Sequence, residues 1–408
     1  MNGTVGANAV VQWECRTRVH AGEEAWNVLM SGDFLRSPSV LVLGSGFAAA
    51  NFGRVDEIRR RLGVRADRIQ LVQAPATVEQ VDSLAGLLAS TGVENVVAIG
   101  GSAALDVTKL ACHQLAGGRT TAIVRARGAR RGVVALPEAP ELIRQVLVPT
   151  TIGPAAELRP YAAMRLRGHP RLVYGANLSP QHAVIDPGFT ESLARQAILD
   201  GLLVSLSRCV DRYLDGEADG ALTEAALRTS ASLLVSLGVR AAEGSFDSAD
   251  RLLACYLNAA QAGLVFARRH PCVSWTWAIT AEMVGVMKAR PVTALGAVLP
   301  SLWRRIEHGD DRFGNRGRLR RAWGWIRAAA GHLPADPVDG IAELIRSWGI
   351  GSEIGGDRRA VALVASRAVR FWGGNVPGLA ATPAAELAAA IAGTVTAGNA
   401  AAVRSPGK

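Results

Sequence analysis

The sequence predicts two consecutive domains, an α/β domain with a Rossmann-like parallel sheet followed by an all-helical domain. The first part of the chain alternates short β-branched runs with amphipathic segments, whereas the second part has helical periodicity almost throughout. Strands that alternate with helices form parallel sheets that helices cover on both faces. The pattern changes near Asp186-Pro187. We therefore predict an α/β domain over residues 1–187 and a helical domain over residues 188–408.

The strands of the first domain are predicted from runs rich in Val, Ile and Leu, which are typical of buried strands. These runs lie at 39–44, 69–72, 95–99, 120–124, 145–148, 162–166, 171–174 and 182–185. Apolar residues spaced three and four apart predict helices at 55–62, 77–90 and 103–115, and Thr77 is suited to cap the second of them. The basic run 125–131 is predicted to be a solvated loop.

The second domain is predicted to consist of nine helices, separated by Pro and Gly. Their apolar residues recur with the period of a helix. The predicted helices span 198–214, 221–242, 248–268, 275–286, 294–305, 319–330, 338–348, 360–371 and 384–395.

Composition excludes several classes of protein. The chain has 408 residues, of which 49% are hydrophobic, and this is enough to form a large core. No apolar run reaches the roughly 18 residues of a membrane span, and no basic segment followed by an apolar one begins the chain, so we expect a cytoplasmic protein. The five Cys are scattered, which predicts reduced thiols. The net charge of +10 favours an anionic ligand or ordinary solvation, and no basic run interleaved with aromatics supports nucleic-acid binding.

The most specific motif lies at a predicted strand-to-helix turn and has the pattern G-G-S-x-x-x-D-x-x-K. Its residues are Gly100, Gly101, Ser102, Asp106 and Lys109. Glycines at such a turn let the backbone approach a diphosphate, and the helix N-terminus offers free N–H groups to it. A tight turn without a ligand is the alternative interpretation.

A second motif, P-T-T-x-G-x-x-x-E, follows the strand at 145–148. Its hydroxyls, on Thr150 and Thr151, can bond a ribose or a nicotinamide amide, although a capped turn explains the same residues. The motif I-D-P then ends the last strand. Gly44, at the end of the first strand, adds a further glycine to the same predicted edge of the sheet.

These three motifs, in this order and spacing, resemble the iron-containing alcohol dehydrogenase family of the dehydroquinate synthase-like superfamily, over nearly the whole chain. The resemblance implies NAD or NADP between the two domains, and a homodimer. The implied cofactor-binding residues are Gly44, Gly100, Gly101, Ser102, Asp106, Lys109, Thr150, Thr151 and Arg171, the last at a position where the family has Lys. The family often has an Asp after the first strand, and its replacement by Gly44-Ser45-Gly46 favours tolerance of NADP.

The sequence departs from this family at the metal site. The family holds a divalent ion with one Asp and three His of the helical domain. The corresponding positions here are Val204, Arg208, Ala278 and Val292, and a one-residue shift of the first pair gives Leu203 and Ser207. No His lies between His182 and His270, or between His270 and His308. We therefore expect no metal.

Three residues are candidates for the catalytic work of the missing metal. A fixed guanidinium at Arg208 can bind a substrate carboxylate or stabilise an alkoxide, unless it forms an internal ion pair with Asp200 or Asp211. Glu282 falls on a further His position of the family, and is a candidate base or a helix-surface residue. His270 lies close to the predicted cleft in chain order.

The function implied is that of a metal-independent, NAD(P)-dependent dehydrogenase or reductase acting on a secondary alcohol or ketone. Its small-molecule or peptide substrate is expected to bear a carboxylate. Oxidation of a 3-hydroxy acid yields a β-keto acid, which loses CO2 without a metal. One setting is the maturation of daptide-type ribosomal peptides at a C-terminal Thr, beside partner enzymes of that pathway. The alternative hypotheses are a pseudoenzyme that scaffolds or activates a partner and, more weakly, a cyclase or lyase.

Overall fold

The computed structural model describes residues 15–32, 37–214, 221–264, 273–376 and 378–397. The strands of its first half are β1 (Arg18–Ala21), β2 (Ser39–Gly44), β3 (Ile69–Val72), β4 (Asn95–Gly100), β5 (Val133–Ala135), β6 (Arg144–Pro149), β7 (Tyr161–Leu166), β8 (His169–Tyr174) and β9 (His182–Ile185). Six of them form one sheet in the order β1-β9-β6-β4-β2-β3, and every neighbouring pair is parallel. This confirms the predicted parallel sheet.

Helices cover both faces of this sheet, as expected for strands that are apolar on both sides. The helices of the first half are α1 (Ala25–Met30), α2 (Ser45–Ala50), α3 (Phe52–Arg61), α4 (Val78–Thr91), α5 (Ser102–His113) and α6 (Thr120–Gly128). Trp26, Phe47 and Ile58 pack on one face of the sheet, and Leu84 and Leu105 pack on the other. Helix α4 begins with the predicted Thr77 cap, completed by Gln80.

Strands β5, β8 and β7 form a separate three-stranded sheet, in which β7 and β8 are an antiparallel hairpin. The hairpin packs on the side of α5 through Ala162 and Met164 of β7 and Val173 of β8. Tyr161 and Leu172, on the opposite face, pack against the core of the second half. The hairpin is therefore the layer that joins the two halves of the molecule.

The second half is helical, and it begins after Asp186, whose carboxylate accepts a hydrogen bond from the Gly188 N–H at 3.0 Å. Its helices are α7 (Arg195–Leu214), α8 (Ala221–Glu243), α9 (Ser248–Ala259), α10 (Trp275–Met287), α11 (Pro291–Glu307), α12 (Arg316–Ala329), α13 (Pro337–Ser347), α14 (Arg358–Trp372) and α15 (Ala384–Ile391). A π-helical turn, Ala260–Leu264, continues α9. All nine predicted helices exist, although the C-terminal end of the third, beyond 264, lies outside the described residues.

Several predicted elements were wrong. Residues 120–124 were expected to be a strand and form the start of α6, because Thr120 and Val124 are fully buried on one face of a helix that continues into the basic run. That run is accordingly helical as far as Gly128. The sequence patterns missed the short strands β1 and β5, and also β10 (Ile354–Gly356) and β11 (Val395–Ala397), which pair in the helical half. Strands β5, β10 and β11 have three residues each, too few to show a period, and β1, with the sequence RVHA, contains no apolar run.

None of the helices in the described ranges has the length and hydropathy that crossing a bilayer requires.

Candidate active site

The glycine-rich turn lies where the carboxyl ends of β2 and β4 meet. A Cβ atom on Gly100 would lie 2.8 Å from the Ala104 Cβ and 2.9 Å from the Gly44 backbone nitrogen. The close packing of the two strand ends therefore leaves no room for a side chain at position 100. Helix α5 begins directly after Gly101, and no side chain caps its N-terminus. Free N–H groups and the helix dipole make such a terminus a binding site for an anion. The turn therefore fits the diphosphate of a dinucleotide.

The two threonines of the second motif lie beside this turn. The backbone N–H of Thr150 donates to the Gly100 carbonyl at 3.0 Å. A Cβ on Gly101 would lie 3.3 Å from the Thr151 Cγ2 atom. The structure thus brings Gly44, Gly100, Gly101 and the two threonines together at one edge of the sheet, as the sequence predicted.

Asp106 and Lys109 hold the neighbouring segment and do not face the turn. Lys109 is 0% exposed, forms an ion pair with Asp106 at 2.9 Å, and donates to the Ala156 and Tyr161 carbonyls at 2.9 and 2.6 Å. The other Asp106 oxygen accepts from the Ala163 N–H at 3.0 Å. The two residues tie α5 to the loop after Thr151. A direct contact of Lys109 with the nucleotide, which was part of the prediction, is excluded by this burial.

Arg171 and Glu282, predicted as a cofactor contact and a catalytic base, contact each other. Glu282 is 0% exposed and accepts from Arg367 at 2.6 Å, from the Trp372 indole at 3.0 Å and from Arg171 at 3.4 Å. Arg171 also donates to the Gly128 carbonyl at 2.7 Å. The two guanidinium groups and the indole occupy three of the about four acceptor sites of the buried Glu282 carboxylate, so this geometry favours a structural role, and the two predicted roles stay predictions.

His169 lies beside this cluster and was missed by the sequence analysis. Its Nδ1 atom is 3.5 Å from the Glu282 carboxylate, and its ring packs against Gly285. Burial, followed by repulsion from Arg367, lowers the pKa of His169, so the ring is neutral at pH 7. The Glu282 cluster, defined as Glu282, Arg171, Arg367, Trp372 and His169, is a structural connection between β8, α10 and α14.

Arg208 has a different environment, because its partners are neutral. Its guanidinium donates to the Pro154 carbonyl at 3.0 Å and to the Asn258 side-chain oxygen at 3.1 Å. Its Nε–H is buried without an acceptor among the described residues. The ion pairs considered for it do not form, since Asp200 pairs with Arg290 at 2.8 Å and Asp211 accepts from Thr276 at 3.0 Å.

Four polar residues in the region of Arg208 were not predicted. Ser205 donates to the Asn258 oxygen, and Arg212 donates to the Gln261 carbonyl at 2.8 Å. Gln261 is 2% exposed, and both of its side-chain polar atoms lack a partner within the described ranges. Asn258 and Gln261 are three residues apart in an otherwise apolar helical stretch, so they share a face. These two amide side chains in an apolar helix were the sequence signal that could have identified this polar group.

One short loop connects Arg208 with the glycine-rich turn. Gly153 has a φ of 114° and packs on Gly201 of α7, where a Cβ would lie only 2.4 Å from the Ile152 carbonyl oxygen. Thr151 at the turn and Pro154 at Arg208 are three residues apart, so their Cα atoms are separated by no more than about 11 Å. The glycine-rich turn and the residue that Arg208 contacts are therefore separated by only one short loop.

The residues described at the family's metal positions do not fit a metal ion. Val204, Ala278 and Val292 have no ligand atom, and a guanidinium has no lone pair to donate. No group of three or more His, Cys, Asp or Glu that could hold a metal exists within the described residues. His270, the third catalytic candidate, lies outside them.

Two buried carboxyl groups lie in the same region. Burial raises the pKa of Asp211 to about 6, although Ser274, Thr276 and Ser207 donate hydrogen bonds to it. Burial also raises the pKa of Glu157, in the loop that contains Pro154. Both groups are therefore easier to protonate than a carboxyl group in water.

Comparison with known proteins identifies a family for the first half of the chain. Residues 17–187 match the family model "Iron-containing alcohol dehydrogenase". A phosphonoacetaldehyde reductase of Streptomyces viridochromogenes is 33% identical over 182 residues, which are 44% of this chain and 45% of that protein. The chain thus aligns with slightly less than half the length of this curated relative.

Solved structures extend the likeness to the whole fold. An iron-containing alcohol dehydrogenase of Thermotoga maritima has a TM-score of 0.72 at 15% identity, over 94% of this chain and 99% of that one. A sulfoacetaldehyde reductase of Bifidobacterium kashiwanohense, solved with NAD+, has a TM-score of 0.71 at 17% identity, over 94% and 98%. These relatives are named as alcohol dehydrogenases and aldehyde reductases, which are oxidoreductases. This chain matches the iron-containing alcohol dehydrogenase family over residues 17–187 and shares the fold of the solved structures over nearly its whole length.

Proposed function

We propose that this protein is an NAD(P)-dependent oxidoreductase that interconverts a carbonyl and an alcohol on an anionic substrate, with Arg208 in place of a metal ion. The observation that carries the proposal is the single loop, Thr151 to Pro154, that connects the uncapped N-terminus of α5 with a guanidinium whose partners among the described residues are neutral. A cofactor at the turn and a substrate at Arg208 would thereby lie close to each other.

The cofactor is expected to bind with its diphosphate at Gly100 and Gly101. These residues have no side chains, and the strand ends lie too close together to accept any, so a diphosphate can approach the backbone. The sulfoacetaldehyde reductase with the same fold was solved with NAD+, which supports a dinucleotide at this position. When bound, the nicotinamide supplies a hydride to the carbonyl carbon or accepts one from the alcohol.

Arg208 is expected to stabilise the negative charge that develops on the substrate oxygen during hydride transfer. A guanidinium has five N–H donors, and two of them are used for Pro154 and Asn258. The free Nε–H belongs to the edge of the group that forms paired hydrogen bonds with oxygen. Because the partners are neutral, the full positive charge is available to an oxyanion, as a preorganised donor requires.

An anionic substrate is favoured by two relatives, which are named for the reduction of phosphonoacetaldehyde and sulfoacetaldehyde. Both compounds are small aldehydes that carry an oxyanion group. The net charge of +10 favours the same class. The 3-hydroxy acid suggested by the sequence also belongs to it, through its carboxylate.

Ser102→Glu tests the proposal, because a carboxylate at the first position of α5 repels a diphosphate and yet favours the helix. We expect NADH and NADPH, titrated by their fluorescence, to bind the variant at least about tenfold more weakly than the wild type. Ala385→Glu, the same change in the first turn of α15, is the matched control and should bind both normally. A wild-type protein that binds neither cofactor would refute the proposal and favour the scaffold hypothesis.

A further inference from the structure

A cavity of about 620 Å³ opens beside the nucleotide-binding half and is not used by the proposed function. It lies between the loop after β3, the start of α4, helix α6 and the turn of the β7–β8 hairpin. Its charged lining residues are Glu79, Arg125, Arg165 and Arg167. A volume of several hundred Å³ is that of a small-molecule site.

The cavity has a surplus of positive charge. Neither Arg165 nor Arg167 has an acceptor for its guanidinium among the described residues, whereas Arg125 pairs with Asp82 at 3.2 Å. The Lys288 ammonium lies 3.5 Å from the position of a Cβ on Gly168 at the hairpin turn, but it donates to the Gly285 carbonyl at 2.8 Å and does not line the cavity. Glu79 is the single acidic residue of the lining. Two unpaired guanidinium groups on one wall create a site for an anion.

The wall that carries these arginines is held in a fixed position. The backbone N–H of Arg165 donates to the Ala76 carbonyl at 2.8 Å, which closes the hairpin onto the loop after β3. The Ala163 N–H bonds to Asp106 on α5, so the hairpin turn extends past the first turn of that helix. The cavity therefore opens at the same edge of the sheet as the glycine-rich turn.

We propose that this cavity binds a phosphate monoester through Arg165 and Arg167. Guanidinium groups form paired, charge-assisted hydrogen bonds with the oxygens of a phosphate dianion. Two sources share this chemistry: the 2′-phosphate of NADP, an interpretation that rests on the proposed function, and a separate small phosphate ester. The missing acidic residue after β2 is compatible with the first source, because no carboxylate there repels the phosphate.

The test compares the double variant Arg165→Ala/Arg167→Ala with Arg130→Ala/Arg131→Ala. The second variant removes the same two charges from exposed positions outside the cavity. Calorimetric titrations use NADP+, NAD+ and glycerol 3-phosphate. We expect the first variant to bind at least one of the two phosphate monoesters at least about tenfold more weakly, as loss of two charge-assisted hydrogen bonds predicts. The second variant should bind as the wild type does.

The probes distinguish the two sources. A loss confined to NADP+, with NAD+ unchanged, identifies the 2′-phosphate of the cofactor. A loss for glycerol 3-phosphate, with NADP+ and NAD+ unchanged, identifies a separate phosphate ester. Any of three results would overturn the proposal. These are equal weakening of NADP+ and NAD+ binding, equal effects of the two double variants, and no effect on the binding of either phosphate monoester. NAD+ binding by the wild type reports on the proposed function separately, so the failure of one is not the failure of the other.

Discussion

Arg208 and Glu282 are charged residues of the helical half, and the sequence analysis proposed both as catalytic residues. In the structure they differ in burial and in the charge of their hydrogen-bond partners. Glu282 is fully buried and accepts hydrogen bonds from two arginines and a tryptophan. Among the described residues, Arg208 donates hydrogen bonds to a backbone carbonyl and an amide oxygen. The charge of Glu282 is neutralised by two arginines, whereas Arg208 has no carboxylate partner within the described ranges. The partners of a charged side chain, more than its position in a family pattern, decide whether it can act on a substrate.

The Glu282 cluster should therefore have a large effect on stability. Glu282→Gln leaves the buried Arg171 and the half-buried Arg367 without this counter-charge, and removing one partner of a buried pair costs about 3–5 kcal/mol. We expect a loss of this size in the apparent free energy of unfolding, measured by urea denaturation.

The matched control is Glu343→Gln, which removes the partner of the exposed Arg346 and should change stability by less than about 1 kcal/mol. If Glu282→Gln keeps the stability of the wild type and loses only activity, Glu282 is a catalytic base after all and its assignment as structural is wrong.

Arg208 should affect activity with little effect on stability. Arg208→Ala removes the donor to the developing oxyanion, and loss of one such donor lowers kcat about 10²–10³-fold. The partners of Arg208, which are Pro154 and Asn258, are neutral, so the substitution leaves no unpaired charge in the protein. The urea midpoint should therefore stay close to that of the wild type.

Arg208→Lys keeps the charge but loses the planar, paired donors, and we expect a rate between those of Arg208→Ala and the wild type. Steady-state kinetics with an anionic aldehyde measure both variants. A kcat of Arg208→Ala equal to that of the wild type would remove Arg208 from the mechanism.

Asp211, one turn beyond Arg208, should make stability depend on pH. Its pKa is about 6 in the folded protein and near 3.8 in the unfolded chain, so the folded state binds the proton more tightly. Stability is then lost as the pH rises from about 4 to about 6, and at pH 8 the ionised carboxylate costs about 1–3 kcal/mol.

Asp211→Asn should flatten this part of the stability profile and make the protein at least as stable as the wild type at pH 8. Denaturation at pH 5 and pH 8 measures the difference. Asp67→Asn, at an exposed residue paired with Arg65, is the control and should leave the profile unchanged. An Asp211→Asn variant with the wild-type profile would show that another group is responsible.

The sequence predicted the parts of the fold that depend on local pattern. The strands at 39–44, 69–72 and 182–185 have the predicted bounds, and Thr77 caps α4 as expected, because apolar runs and caps are local signals. Residues 120–124 were mispredicted, since their β-branched composition is overridden by packing against the core.

The candidate site was predictable only where the backbone itself forms it. Gly100, Gly101 and the two threonines meet at the sheet edge because parallel strands end there. The burial of Lys109 and the pairing of Arg171 with Glu282 depend on contacts between residues that are 47 to 111 positions apart in the chain. Such contacts leave no pattern in a single sequence.

The most direct test of the central claim is the rate of NAD(P)H oxidation with an anionic aldehyde, measured before and after exhaustive dialysis against a metal chelator. If Arg208 takes the place of the metal, the two rates should agree within about twofold, because no bound ion polarises the substrate oxygen. A rate that is lost on chelation and restored by Fe²⁺ or Zn²⁺ would contradict the account.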